Sequence, residues 1–276
     1  MPLIDVCYVK SRPGATTTAV GLAAVLPAAS RPVVVECDPA GGDLVLRHGL
    51  AASPGLVELA TATRTTEETD PGAGRDEVLS RFAQPLRLGD HVVQVVVAPP
   101  GGAQSRVALS VLTRPGHDVL RGTDRVVIAD CGRLDHPSPT WPLLQVADAV
   151  VVLTRGRAEE LAHLREHIGE LVRQVTGRLV VMLAAGGMYG AGEVEAMLHR
   201  HVTVSLDLPT DRVHVQGLLP YDERAATVLD GARTGGRGWG RLPLMTTLRE
   251  LAAALPLGNQ ASDTAGVGET EVRVPS

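Results

Sequence analysis

The stretch PGATTT, residues 13–18, joins a short apolar run to a segment of helical length. Backbone N–H groups at a helix N-terminus have no intrahelical partner and carry partial positive charge, which favours a bound phosphate. Gly14 would let the backbone approach such a group closely, and Thr16 offers a hydroxyl oxygen of the kind that Mg²⁺ accepts. The same residues also suit a plain strand–turn–helix junction, which needs a glycine and a helix-capping threonine for structural reasons. Asp38, followed by a proline, and Asp130 each close another apolar run. On their own they read first as a turn former and a loop cap. Cys7, Cys37 and Cys131 have no metal-ligand spacing and lie in or beside apolar runs, as reduced buried thiols do.

The elements that must position these groups show in the apolar patterning. Six short β-branched runs recur, at 3–9, 32–37, 91–98, 125–131, 149–154 and 178–184. Runs so short and so continuously apolar suit strands buried on both faces, as in a parallel sheet. Helix-length segments lie between them. In 157–177, Leu161, Leu164, Ile168, Leu171 and Val175 form an apolar stripe, and Gly177 supplies a stop. The expected fold is therefore α/β: a doubly wound, mostly parallel sheet flanked by helices in three layers. Ligands in such sheets sit beyond the carboxyl ends of strands, where PGATTT falls. Residues 61–77, polar and containing Gly and Pro, read as a surface loop; the tail 258–276, polar and without a period, reads as disordered. Residues 1–257 then form one domain.

Composition bounds the function. The 276 residues carry a net charge of −5, which argues against a broadly basic, DNA-coating surface. Arg233, Arg237 and Arg241 surround Trp239 in a Gly-rich stretch, a local feature suited to nucleic-acid phosphates and equally to a solvated loop. Lys10 is the only lysine. The first apolar run is broken by Asp5 and followed by Lys10, so no secretory leader is expected, and a cytoplasmic location is. Residues 243–255 have an apolar stripe with Arg249 as the one basic residue, which reads as a core-packing helix and gives no direct membrane anchor.

Taken in chain order, KSRPGATTT (10–18) resembles the deviant phosphate loop K-G-G-x-G-K-T-T of the ParA/MinD family of partitioning and positioning ATPases, a P-loop NTPase-like group. VVVECDPAGGDL (33–44) looks like that family's D-x-D-P segment, and RVVIADCG (125–132) like its Walker B strand. VADAVVVLTRGRAEELAHL (146–164) and VQGLLPYDERAATVLDGA (215–232) are similar to its later strand–helix unit and its G-x-x-P-x-D segment. The resemblance spans residues 1 to about 255. It implies roles for matching positions: Lys10 reaching a partner subunit's nucleotide, Gly14, Ala15, Thr16 and Thr17 around the phosphates, Asp38 orienting the attacking water, and Thr16, Asp38 and Asp130 serving Mg²⁺. ATP and Mg²⁺ are the implied cofactors. A homodimer, and a protein partner or cargo, are the implied assembly.

The departures fall on the working parts. Ala15 replaces the phosphate-loop lysine, Ser11 and Arg12 replace two glycines, and Pro13 removes an N–H. Glu36 stands where the first aspartate of D-x-D is usual, and Ala184 and Ala185 occupy the area of the family's base-contacting asparagine. A charge-assisted hydrogen bond is worth about 1.5–3 kcal/mol, so the loss of the lysine weakens triphosphate binding by about ten- to a hundredfold. Arg12 restores some charge from earlier in the loop, with a planar head unlike an ammonium. Two readings follow: a positioning or partitioning switch with impaired ATP hydrolysis, and an inactive pseudo-ATPase acting as a dimerising scaffold.

Overall fold

Apolar runs that cannot face water on either side assemble here into one sheet. Its strands are β1 (Leu3–Tyr8), β2 (Val33–Glu36), β3 (Gln84–Leu88), β4 (His91–Val96), β5 (Val127–Arg133), β6 (Ala149–Arg155), β7 (Arg178–Ala184) and β8 (Val213–Leu219). They lie in the order β3-β4-β2-β5-β1-β6-β7-β8. Neighbours are parallel throughout except β3, which runs antiparallel to β4. The computed structural model describes residues 2–69, 74–114 and 119–257. The expected tail at 258–276 lies outside them.

The helices are α1 (Ala15–Val25), α2 (Leu44–His48), α3 (Leu56–Thr69), α4 (Arg75–Phe82), α5 (Gly102–Leu112), α6 (Trp141–Val146), α7 (Ala158–Gln174), α8 (Ala191–Arg200), α9 (Glu223–Leu229) and α10 (Pro243–Ala254). Two hydrophobic layers result. One packs α1, α9 and α10 on the sheet; the other packs α3 to α8 on its opposite face. The three-layer α/β architecture expected from the patterning is present. The stretch 243–255 is a core helix, with Leu244, Met245, Leu248 and Leu251 buried. Among the described residues no helix is long and apolar enough to cross a membrane.

The differences have local causes. The two strands that the patterning misses, β3 and β8, are the outermost ones. Each has one face open, so β3 reads QPLRL with exposed Pro85 and Arg87, and β8 is only partly buried. Residues 61–69, expected as loop, form the second half of α3, where the Thr63 hydroxyl returns to the Leu59 carbonyl at 2.8 Å. Helix α7 ends at Gln174, before Gly177. Gly177 serves a close crossing instead: a Cβ there would collide with the carbonyls of Ala147 and Asp148.

Asp5 departs furthest from the apolar logic of the sheet. It lies in mid-β1 between Ala129 of β5 and Val150 of β6 and is fully buried. Neither carboxyl oxygen has a hydrogen-bond partner among the described residues. Burial, and then the neighbouring charge of Asp148, push its pKa well above the usual carboxylate range. An unsatisfied buried polar group costs about 1–3 kcal/mol. Asp5→Val, similar in size and free of that cost, is expected to raise unfolding stability by about that amount. Urea titration at neutral pH checks it; a variant no more stable than wild type would mean that Asp5 has a partner in solution.

Candidate functional site

The turn that leads into α1, the end of β2 and residues 130 and 132 of β5 surround a cleft of about 380 Å³. Of the residues singled out in the sequence, Gly14, Ala15, Thr16, Thr17, Asp38 and Asp130 line it together. Lys10 is exposed and is not among the lining residues. Gly14 caps α1 with φ +98°, a left-handed conformation that favours glycine, and a Cβ there would meet nothing within 4 Å. The helix N-terminus is thus open to a ligand. Ser11 also takes a left-handed conformation, φ 66°, at one of the positions of the missing glycines. For a residue with a Cβ that costs about 1–2 kcal/mol.

Asp130, midway along the central strand β5, is buried, its Oδ1 accepts the Gly132 N–H at 3.3 Å, and it lines the cleft together with Thr16. Burial raises its pKa to about 7, reinforced by the charges of Glu36 and Asp38, while the Thr16 hydroxyl and the Gly132 N–H pull it back. Asp38 faces the same space. Its Oδ1 accepts the Ala40 N–H at 2.7 Å, the turn that the Asp-Pro pair suggests, and burial raises its pKa. A Cβ at Gly132, where φ is +60°, would collide with the Asp38 carboxylate, so only glycine allows the two strand ends to approach in this way.

Glu36 is the residue whose role the sequence obscures. Its carboxylate points inward: Oε1 accepts the N–H groups of Asp43 and Leu44 at 2.7 and 3.0 Å, and Oε2 accepts that of Ala98 at 2.9 Å. It clamps the loop carrying Asp38 to the start of α2 and to the end of β4. Ala15, in the place of the lysine, is buried against the α1 side of the core. Arg12 and Arg47 bring positive charge to a lining that also holds Glu36, Asp38, Asp43, Asp130 and Asp230. Arg47 and Asp230 have no local signature, because their contact joins positions far apart in the chain.

A smaller cavity of about 210 Å³ continues past Gly14 and is lined mostly by apolar groups, among them Ala184, Ala185, Leu219, Pro220 and Tyr221. The Arg233–Arg241 loop does not present an aromatic surface as its sequence suggests. Trp239 is buried, edge-on to His91 with ring centroids 5.4 Å apart, while the three arginines are exposed.

Chemically, Thr16 and Asp130 supply the cleft with two oxygen donors of the type that Mg²⁺ takes. Among the described residues no group of three His, Cys, Asp or Glu side chains is arranged to hold a metal. A cation here would complete its shell with water and phosphate oxygens, which is how Mg²⁺ usually binds. The residues therefore fit a metal–phosphate ligand better than either ion alone.

No family model matches the chain, and no curated protein matches it. Solved structures do. A ParA family ATPase from Chlorobium tepidum shares 15% identity over 91% of this chain and 97% of its own, with a TM-score of 0.62. McdA from Cyanothece, solved with ATP, shares 14% identity over 92% and 97%, with a TM-score of 0.61. The septum site-determining protein MinD from Pyrococcus horikoshii, complexed with Mg-ADP, shares 14% over 92% and 95%, with a TM-score of 0.60. The architecture is that of the ParA/MinD ATPases.

Two consequences are measurable. Glu36→Gln keeps one acceptor oxygen and turns an amide against one of the three N–H groups, so it is expected to cost about 1–3 kcal/mol in urea unfolding; an unchanged midpoint would show the clamp to be dispensable. Asp130 has a folded pKa above its unfolded one, so its contribution is full below about pH 4 and is lost as pH rises through about 7. Asp130→Asn is expected to flatten the fall in ligand-free stability across that window. Thermal melts at pH 5 and pH 8 check this, and an equally steep fall in the variant would remove Asp130 as its cause.

Proposed function

We propose that this chain, built on the ParA/MinD architecture, is a nucleotide-regulated dimeric switch for positioning or partitioning, with slow ATP hydrolysis. Residues 1–257 act as one nucleotide-binding domain in the cytoplasm. The observation that carries the reading is that Thr16 and buried Asp130 line one cleft at the N-terminus of α1. MgATP is the ligand, and the metal supplies charge neutralisation on the phosphates when bound. Gly14, Ala15, Thr16 and Thr17 surround the phosphates through backbone N–H groups and hydroxyls. Thr16 and Asp130 hold the metal side, with Asp38 placed to orient water and to assist the metal through water. Lys10, exposed outside the cleft, acts towards a second copy of the chain. The base takes the small apolar cavity lined by Ala184 and Ala185, which offers no side-chain amide to read it.

A second reading, the inactive scaffold, draws on a specific observation: Ala15 is buried apolar surface where a cation would grip phosphate, and carboxylates outnumber guanidiniums around the cleft. A triphosphate without its metal is repelled there. Binding to DNA through Arg233, Arg237 and Arg241 belongs to either reading as a secondary contact, made by charge alone.

Equilibrium binding of a fluorescent ATP analogue with Mg²⁺, with molar mass read alongside, separates the readings. Wild type is expected to bind weakly, Ala15→Lys about ten- to a hundredfold more tightly. Lys10→Ala is expected to lower the mass of the nucleotide-bound species. Binding by Ala15→Lys alone favours the scaffold on an intact cleft. No binding by either protein retires the nucleotide reading.

A further inference from the structure

Two donors from different elements converge on one carboxylate oxygen beside the phosphate loop. The Thr17 hydroxyl of α1 and the Arg47 guanidinium of α2 reach Asp230 Oδ1 at 2.9 and 3.0 Å. Arg47 is also steered by Asp43 Oδ2 at 2.7 Å. Thr17, Arg47 and Asp230 all line the cleft. The surrounding backbone is tightly fitted: His48 Nε2 lies 3.1 Å from the Leu229 carbonyl, and a Cβ at Gly231 would collide with the Arg47 carbonyl. The contact thus spans the cleft between α2 and the end of α9.

A hydroxyl and a guanidinium aimed at one anionic oxygen form a donor set that suits a phosphate oxygen as well as a carboxylate. Asp230 is otherwise badly placed. It caps the C-terminus of α9, where the helix dipole opposes negative charge, and it faces a lining that already holds four other carboxylates. The grip of Thr17 and Arg47 offsets both effects.

We propose that Arg47 is the cation that takes hold of nucleotide phosphate in this chain, and that Asp230 is an internal anion which occupies Arg47 and Thr17 until phosphate displaces it. This rests on the nucleotide reading above. The affinity observed is the intrinsic affinity reduced by the fraction of molecules in which the Asp230 contact is open. The device regulates the site by competition within one chain.

Calorimetric titration of the full chain with MgATP, and with magnesium pyrophosphate as a base-free probe, tests it on wild type, Asp230→Ala, Arg47→Ala and the double variant. Asp230→Ala is expected to bind about tenfold tighter or more, and the double variant to lose that gain. A gain that survives Arg47→Ala would reduce Asp230 to simple charge repulsion and overturn the proposal. Equal binding by wild type and Asp230→Ala overturns it and leaves the nucleotide reading standing. Binding by Ala15→Lys when none of these four proteins binds removes Arg47 from its role, and silence from all five removes both readings. A ligand-free thermal-stability cycle of Thr17→Val and Asp230→Ala guards against mere misfolding. Non-additive effects are expected, and strictly additive ones overturn the contact.

Discussion

The Glu36 carboxylate is the point from which the geometry of the cleft is set. Three backbone N–H groups from two segments end on it, and it is removed from water. Such an arrangement makes the anion tolerable in the interior and fixes the loop from Cys37 to Asp43 as a rigid strap. Asp38 is aimed by that strap, and α2 begins where the strap ends, so Arg47 takes its position from the same clamp. The substitution of glutamate for a shorter acid is thus a structural replacement with a longer reach. It brings no spare oxygen to the cleft.

The cleft combines features that pull in opposite directions. An open helix N-terminus and a glycine cap invite an anion. Buried carboxylates around it repel one, and several have raised pKa values because water cannot solvate their charge. A divalent cation would resolve the conflict, since it would be drawn to the carboxylates and could carry phosphate with it. An Arg12 head at the rim and an Arg47 head inside distribute positive charge around the space that one lysine would concentrate at the helix start.

The interior of the fold was legible because strands β1, β2, β5, β6 and β7 are buried over most of their length and β4 over its second half, so they carry mostly apolar residues. The outer strands β3 and β8 admit proline, arginine, histidine and glutamine on their open sides, which erases the signal. Threonines in α3 masked a helix for a related reason, since polarity was read as exposure. In the cleft, residues whose roles depend on local spacing at a strand end, Gly14, Thr16, Asp38 and Asp130, were found together. Those that act through contacts across the chain were not. Nothing near Arg47 or Asp230 in sequence announces the other, and Glu36 could be interpreted only once its three amides were seen. Trp239 shows the opposite failure: flanking arginines and glycines suggested a surface aromatic, while its ring fills the core beside His91.

The outermost strand β3 has a further consequence, for how the sheet ends. Pro85 has no N–H to offer, and Arg87 places an exposed charge on the same strand. A proline is accepted in a sheet where its missing donor faces away from the ladder, and an added chain would find a gap there and a cation to desolvate. The molecule therefore carries its own terminator on this side: composition opposes growth of the sheet by recruitment of another chain's strand at β3.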